Sequence, residues 1–200
     1  MITDPRVFED EYLPRELMHR EGAVEELSSA FDPALDSIQA NDVLIAGPSG
    51  VGKTVLARHT LRKLDAYASV DHAHIECLGT TTGDILRSAL RKHHAQVDVS
   101  QNTPVDDLHA QLRDVVDRPY ILVLDEADAL PDTQTLDYVT SIPEVSIVAI
   151  CHDADRWLSH VSNDVRQRFS GPIRLGRYGV DELASILRAR AIQGLPERRQ

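Results

Sequence analysis

The segment Gly47-Pro48-Ser49-Gly50-Val51-Gly52-Lys53-Thr54 constrains this chain more than any other. It has the spacing GxxxxGK[ST] and stands between a short apolar run at 43–46 and a stretch of helical periodicity at 55–64. Glycines at such positions let the backbone wrap closely and turn several N–H groups inward, which makes an anion cradle. The helix that follows, opening at Val55, aims the positive end of its dipole at the same point. Lys53 adds a compact charge suited to the β- and γ-phosphates of a nucleotide. The Thr54 hydroxyl is an oxygen ligand suited to Mg²⁺. Strand, glycine loop and helix in that order predict an α/β fold whose ligand lies beyond the carboxyl ends of its strands.

The rest of the pattern agrees. Strands are predicted at 43–46, 72–77, 120–124, 145–151 and 172–175. Helices are predicted at 22–31, 55–64, 84–92, 105–116 and 181–190, with 94–104 a loop. In the first helix Val24, Leu27 and Phe31 recur at helical spacing, and Pro33 is expected to break or restart it. Val105, Leu108, Leu112 and Val115 share one face of the fourth. Leu183, Ile186 and Leu187 are expected to face inward in the last. Strands that alternate with helices predict a parallel sheet covered on both faces. The chemistry is then expected just after Ala46, Leu124 and Ile150.

Ile121-Leu122-Val123-Leu124-Asp125-Glu126 is an apolar strand that ends in two carboxylates. Beside a phosphate loop, such an end is a metal and water site. Asp125 would hold Mg²⁺, directly or through water. Glu126 diverges from its neighbour and is placed to polarise an attacking water.

Charge narrows the class further. Acidic residues number 32 and basic residues 21, giving a net charge of -11, and only three of the bases are lysines, Lys53, Lys63 and Lys92. This Asp-rich, Lys-poor surface resembles proteins of salt-loving archaea, whose self-repulsion is screened by salt. Net acidity argues against tight non-specific binding of nucleic acid by this chain alone. Two cysteines, Cys77 and Cys151, make no disulfide framework, which fits a reducing interior. Residues 1–13 lack the apolar segment of a secretory signal, and no run approaches the ~20 apolar residues of a membrane span. A cytoplasmic protein is expected.

Together these segments resemble the AAA+ ATPase module of the archaeal replication initiator family, which is related to the eukaryotic origin recognition complex and its cell-division-control partner. The stretch Tyr12-Leu13-Pro14-Arg15-Glu16-Leu17-Met18-His19-Arg20-Glu21 is similar to the segment that precedes the family's first strand. Ile75-Glu76-Cys77 with Thr81-Thr82, Leu124-Asp125-Glu126-Ala127-Asp128, and residues 146–153 are similar to its second strand, second nucleotide motif and fourth strand. The resemblance spans about 7–190. It implies a three-layer P-loop fold with a five-stranded parallel sheet of order 5-1-4-3-2. Residues 1–176 would form the ATPase core and 177–200 the start of an incomplete helical lid, with no winged-helix domain.

The resemblance also implies roles. ATP or ADP with Mg²⁺ would be bound by Gly47 to Val55, with the segment from Tyr12 to Arg20 lining the adenine pocket. Tyr178 would pack near the base, and Arg190 would face the nucleotide from the lid. Lys53, Asp125 and Glu126 would be catalytic. Arg168 matches an arginine finger that reaches a neighbour's γ-phosphate, with Arg166 as its rival. His152 stands where the family has an Asn that senses the γ-phosphate. A neutral imidazole can still donate there, and its protonation would make sensing pH-dependent. Slow or partner-dependent hydrolysis is expected, through self-association or pairing with another AAA+ subunit. Arg87, Arg91, Lys92, His93 and His94 lie where the family carries a DNA-touching insertion, but they read more readily as a solvated helix end. DNA contact by this chain is expected to be weak or indirect. Two other readings stay open: a non-hydrolysing nucleotide switch that pairs with a full-length initiator, and another AAA+ role such as clamp loading.

Overall fold

A strand buried on both faces cannot alternate apolar and polar residues, and three of the strands here do not. β1 (Val43–Ala46), β3 (Tyr120–Asp125) and β4 (Val145–Cys151) are buried along their whole length. β2 (Asp71–Glu76) and β5 (Pro172–Arg174) carry polar residues and lie at the edges. The computed structural model, which describes residues 16–68 and 70–194, joins them in one sheet of order β2-β3-β4-β1-β5, every pairing parallel. That is the expected order read from the other edge.

Side chains alternate between two cores. On one face Leu44, Leu122, Leu124, Ile147 and Ala149 meet Ile85 and Leu86 of α3 (Thr82–Lys92) and Leu108 and Leu112 of α4 (Val105–Val115). Leu136 of α5 (Gln134–Thr140), Trp157 of α6 (Ala154–His160) and Val165 of α7 (Asn163–Gln167) complete that layer. On the other face Ile45, Ile121, Val123, Val148 and Ile150 meet Leu27 and Phe31 of α1 (Glu21–Leu35) and Leu56 and Leu61 of α2 (Lys53–Asp65). Each such side chain contributes roughly 1.5–3 kcal/mol on burial, so a register slip that exposed one row would not be tolerated. α8 (Val180–Gly194) follows β5.

Four expectations change. Pro33 does not break the first helix, which runs on to Leu35. A proline in the last turn removes one hydrogen bond but keeps a helical φ, and Phe31 and Ala34 stay buried around it. Leu183 and Leu187 do not face a core; they are 48% and 54% exposed and line a cavity described below. The short helices α5, α6 and α7 have too few residues for periodicity to reveal them. Two of them nevertheless open on caps that a sequence can display, Asp153 accepting from the Arg156 N–H and Ser162 from the Val165 N–H.

The basic residues that end α3 are a solvated helix end only in part: Arg91, Lys92 and His94 are exposed, but Arg87 and His93 are buried and all five make intramolecular contacts. Arg87 is buried and donates to Asp84 and to the Gln101 carbonyl. Arg91 donates to the Val99 carbonyl and Lys92 to the His74 carbonyl. His93 is buried and His94 binds Asp71. Each cation fastens the loop at 93–104 or the β2 edge to α3.

α3 begins with a capping box in which Thr81 and Asp84 satisfy each other's backbone N–H groups. Hydrogen bonds from Thr81 and Arg87 hold the Asp84 carboxyl down to about 2, against 3.8 ordinarily. A carboxyl depressed by folding stabilises the fold above its unfolded value, and that contribution is lost as pH falls through the folded value. Asp84→Asn should therefore lower stability at neutral pH and flatten its decline between about pH 4 and pH 2. Urea unfolding across that range checks this, and an acid limb parallel to wild type refutes it.

Candidate functional site

The order β3-β4-β1 sets the carboxyl ends of three strands side by side. β1 runs into the glycine loop, where Gly47 lies so near β5 that an added Cβ would stand 2.3 Å from the Leu175 carbonyl oxygen. Gly50 and Gly52 take φ of 77° and 91°, which favours glycine. Lys53 Nζ donates to the Gly47 and Pro48 carbonyls at 2.7 and 2.9 Å. Burial lowers the Lys53 pKa, and the nearby Asp125 opposes that shift.

Thr54 Oγ1 donates to Asp125 Oδ2 at 2.7 Å, so the two expected metal ligands already meet. Hydroxyl and carboxylate oxygens are hard donors and fit Mg²⁺. His74 Nε2 lies 3.0 Å from the same carboxylate oxygen. Burial acts to raise the Asp125 pKa, but the hydrogen bonds from His74 and Thr54 outweigh it and keep the value below the ordinary one. Glu126 donates its N–H to Asp125 Oδ1 at 3.0 Å and adopts a left-handed φ of 53°, a strained conformation for a side chain other than glycine. A cavity of about 610 Å³ is walled by Ser49, Gly50, Gly52, Lys53, Thr54, Val55, Asp125, Glu126 and His152, joined by Arg58, His74 and Glu76.

A second cavity of about 540 Å³ opens on the other side of the loop, and Gly50, Gly52 and Val55 wall both. Arg20, Tyr178, Leu183, Ile186, Leu187 and Arg190 line it, with a more apolar character suited to a flat base. The segment His19-Arg20-Glu21 organises this side. His19 Nε2 is 2.7 Å from Ser185 Oγ on α8. Arg20 donates to the carbonyls of Gly176 at 2.5 Å and Val51 at 3.4 Å, and its guanidinium lies 4.1 Å from the Tyr178 ring centre. Glu21 accepts the His19 N–H at 3.1 Å. One tripeptide therefore ties the loop, the β5–α8 connection and α8 together. Val51 itself is buried in the core and anchors the loop. Arg20 Nε and Arg190 Nε are buried without a hydrogen bond among the described residues.

The other expected residues fall as follows. Tyr12 lies outside the described residues. His152 directly follows β4 at the phosphate cavity, and its N–H and Nδ1 both meet Asp128 Oδ2 at 2.7 Å. Arg168 lies at the opposite end of the sheet. It pairs with Asp42, which is buried and also accepts the Ile147 N–H at 2.7 Å. It donates as well to the Thr140 and Val145 carbonyls at 3.3 Å each. Arg166 is exposed and donates through Nε to the Leu158 carbonyl at 2.8 Å. Burial pushes the Cys77 and Cys151 thiols up to about 12, so neither is a nucleophile. Sequence reading missed His74. Its signal was the polar alternation His72, His74, Glu76 in a strand beside the apolar β3.

Comparison with known proteins agrees with this geometry. A family model described as AAA ATPase domain matches residues 16–145. The chain is 32% identical over 202 residues to the ORC1-type DNA replication protein 1 of Halobacterium salinarum, covering 98% of this chain and 66% of that protein. It is 29% identical to the ORC1-type DNA replication protein 9 of the same organism, covering 98% of this chain and 57% of that one. It also resembles the Aeropyrum pernix ORC1 protein solved in complex with DNA, with TM-score 0.85 and 26% identity over 96% of this chain and 54% of that chain. The chain thus spans less than two thirds of the length of the relatives it matches.

His74 gives this site its first test. If it orients the Asp125 carboxylate, His74→Ala should raise the Mg²⁺ requirement for nucleotide binding by about tenfold, as loss of such outer partners does elsewhere. Affinity at saturating Mg²⁺ should be unchanged. Calorimetric titration at graded Mg²⁺ measures both, and an unmoved Mg²⁺ requirement refutes the role.

Proposed function

The chain belongs to the AAA ATPase domain family, and from its likeness to archaeal ORC1-type replication proteins we propose that it is a replication-initiator ATPase module that binds ATP with Mg²⁺ and hydrolyses it. The observation that carries this reading is the convergence at three strand ends: the Lys53 loop, the Thr54–Asp125 pair and Glu126 around one cavity, with a base-sized cavity across the same loop. Residues 1–176 act as the ATPase core and 177–200 as the first part of a lid. No helix among the described residues is long and apolar enough to cross a membrane.

Lys53 and the loop N–H groups hold the phosphates, and Thr54 and Asp125 hold the metal. When bound, Mg²⁺ neutralises charge developing on the β- and γ-phosphate oxygens. Glu126 accepts the proton of the attacking water. Arg20, Tyr178 and Arg190 enclose the base. His152 reads the γ-phosphate. Asp128 accepts from its Nδ1 and fixes the ring beside the phosphate cavity. The partner in hydrolysis is a second AAA+ subunit, whose arginine completes the site. The relatives' names support action in DNA replication, with DNA contact by this chain weak or indirect.

Of the two candidate fingers, Arg166 is the better supported, since the Arg168 guanidinium already serves buried Asp42. Arg166→Ala should reduce turnover by about 10³-fold while ATP binding persists. Lys53→Ala should lose ATP binding. Mixing the two inactive variants should restore activity, because each supplies what the other lacks. Arg168→Ala should instead lower stability by about 2 kcal/mol, discounted from the buried-pair range because it is partly exposed. Glu126→Gln should retain ATP with turnover down by about 10²-fold or more. Steady-state ATPase and nucleotide retention measure these outcomes, and full activity in Glu126→Gln overturns its assignment.

A further inference from the structure

The start of β2 and the end of α3 bring Asp71, His93 and His94 together, with their donor atoms all within 4.8 Å of one another. His94 Nδ1 lies 2.7 Å from Asp71 Oδ2, and His93 Nε2 lies 3.7 Å from the same oxygen. His93 is fully buried, its ring 4.2 Å from that of His94 and 5.1 Å from that of Tyr120. Its Nε2 nonetheless makes no hydrogen bond among the described residues, although it faces the carboxylate. A buried ring nitrogen left unpaired beside two other donors calls for a reason.

Two imidazoles and a carboxylate are the donor set of a borderline divalent transition metal, not of Mg²⁺ or Ca²⁺. Around a four-coordinate ion with bonds of about 2.0–2.1 Å, neighbouring ligand atoms stand about 3.3 Å apart. The two separations from Asp71 Oδ2, 2.7 and 3.7 Å, bracket that spacing. Arg118 competes for the position, since its Nε donates to Asp71 Oδ2 at 2.7 Å. The Arg118 side chain is 41% exposed, so it can withdraw to solvent.

We propose that Asp71, His93 and His94 form a binding site for a divalent transition metal of the Zn²⁺ or Co²⁺ type, and that Arg118 guards it by competing for Asp71. Binding transfers the carboxylate from the guanidinium to the ion. It also moves the His93 ring proton to Nδ1, at the expense of the 3.3 Å hydrogen bond that the Ala95 N–H makes there, and the His94 proton from Nδ1, where it bonds Asp71, to Nε2. A bound ion would clamp the end of α3 to the first residue of β2. That is the amino end of the strand, whereas the phosphate cavity lies at the carboxyl end with Glu76. Metal at this site therefore stabilises the fold without entering the nucleotide chemistry.

The test is a Co²⁺ titration of the purified chain, with excess Mg²⁺ and ADP present to fill the nucleotide site. The expected result is one Co²⁺ per chain with the strong visible absorption of four-coordinate Co²⁺ and a raised melting temperature. His94 is exposed, so His94→Ala should fold, and it should weaken binding by at least about tenfold. Arg118→Ala should tighten binding several-fold, an outcome that a purely structural ion-pair cluster would not produce. His93→Asn should abolish the visible bands, with circular dichroism reporting its fold. Absence of the bands in wild type, or an affinity that His94→Ala leaves unchanged, overturns the proposal.

Discussion

The hydrogen bond between Thr54 and Asp125 depends on everything around it being in register. Thr54 opens α2 just after β1, and Asp125 ends β3, with β4 lying between the two strands. The groups meet at 2.7 Å only because three consecutive strands in the sheet run parallel and end at one level. What enforces that level is burial on both faces. Val148 and Ile150 go to one core while Ile147 and Ala149 go to the other, so no strand can slip by one residue without inverting its contacts.

Legibility in the sequence followed distance along the chain. The glycine loop, Lys53 and Thr54 are eight consecutive residues, and Asp125-Glu126 closes an unbroken apolar run, so local pattern was enough. Strand boundaries were legible for the same reason. Arg20 was not, as a contact, because its partners at 51 and 176 are remote and no periodicity links them. The resemblance assigned Arg20 to the adenine pocket without showing which carbonyls it holds. Arg168 carries another contact of this kind: its guanidinium meets Asp42, 126 positions away. Such pairings are decided by tertiary packing, which composition and spacing do not encode.

The acidic balance also takes on a more local meaning. With few lysines, positive charge is carried by arginines, and several serve internal purposes: Arg87 and Arg91 on the loop after α3, Arg118 on Asp71, Arg174 on Asp155. Lys53 is different, since its amine rests on two carbonyls beside the phosphate cavity. Two of the relatives it resembles come from Halobacterium salinarum, which agrees with a salt-adapted reading of this surface.

The grip of His19 and Arg20 has a mechanical corollary. Arg20 holds a carbonyl of the glycine loop and a carbonyl just before α8, while His19 holds the helix itself. Loop and helix are thereby parts of one lever whose fulcrum is a guanidinium. Any movement of the loop relative to α8 would therefore have to be taken up by the contacts of these two residues.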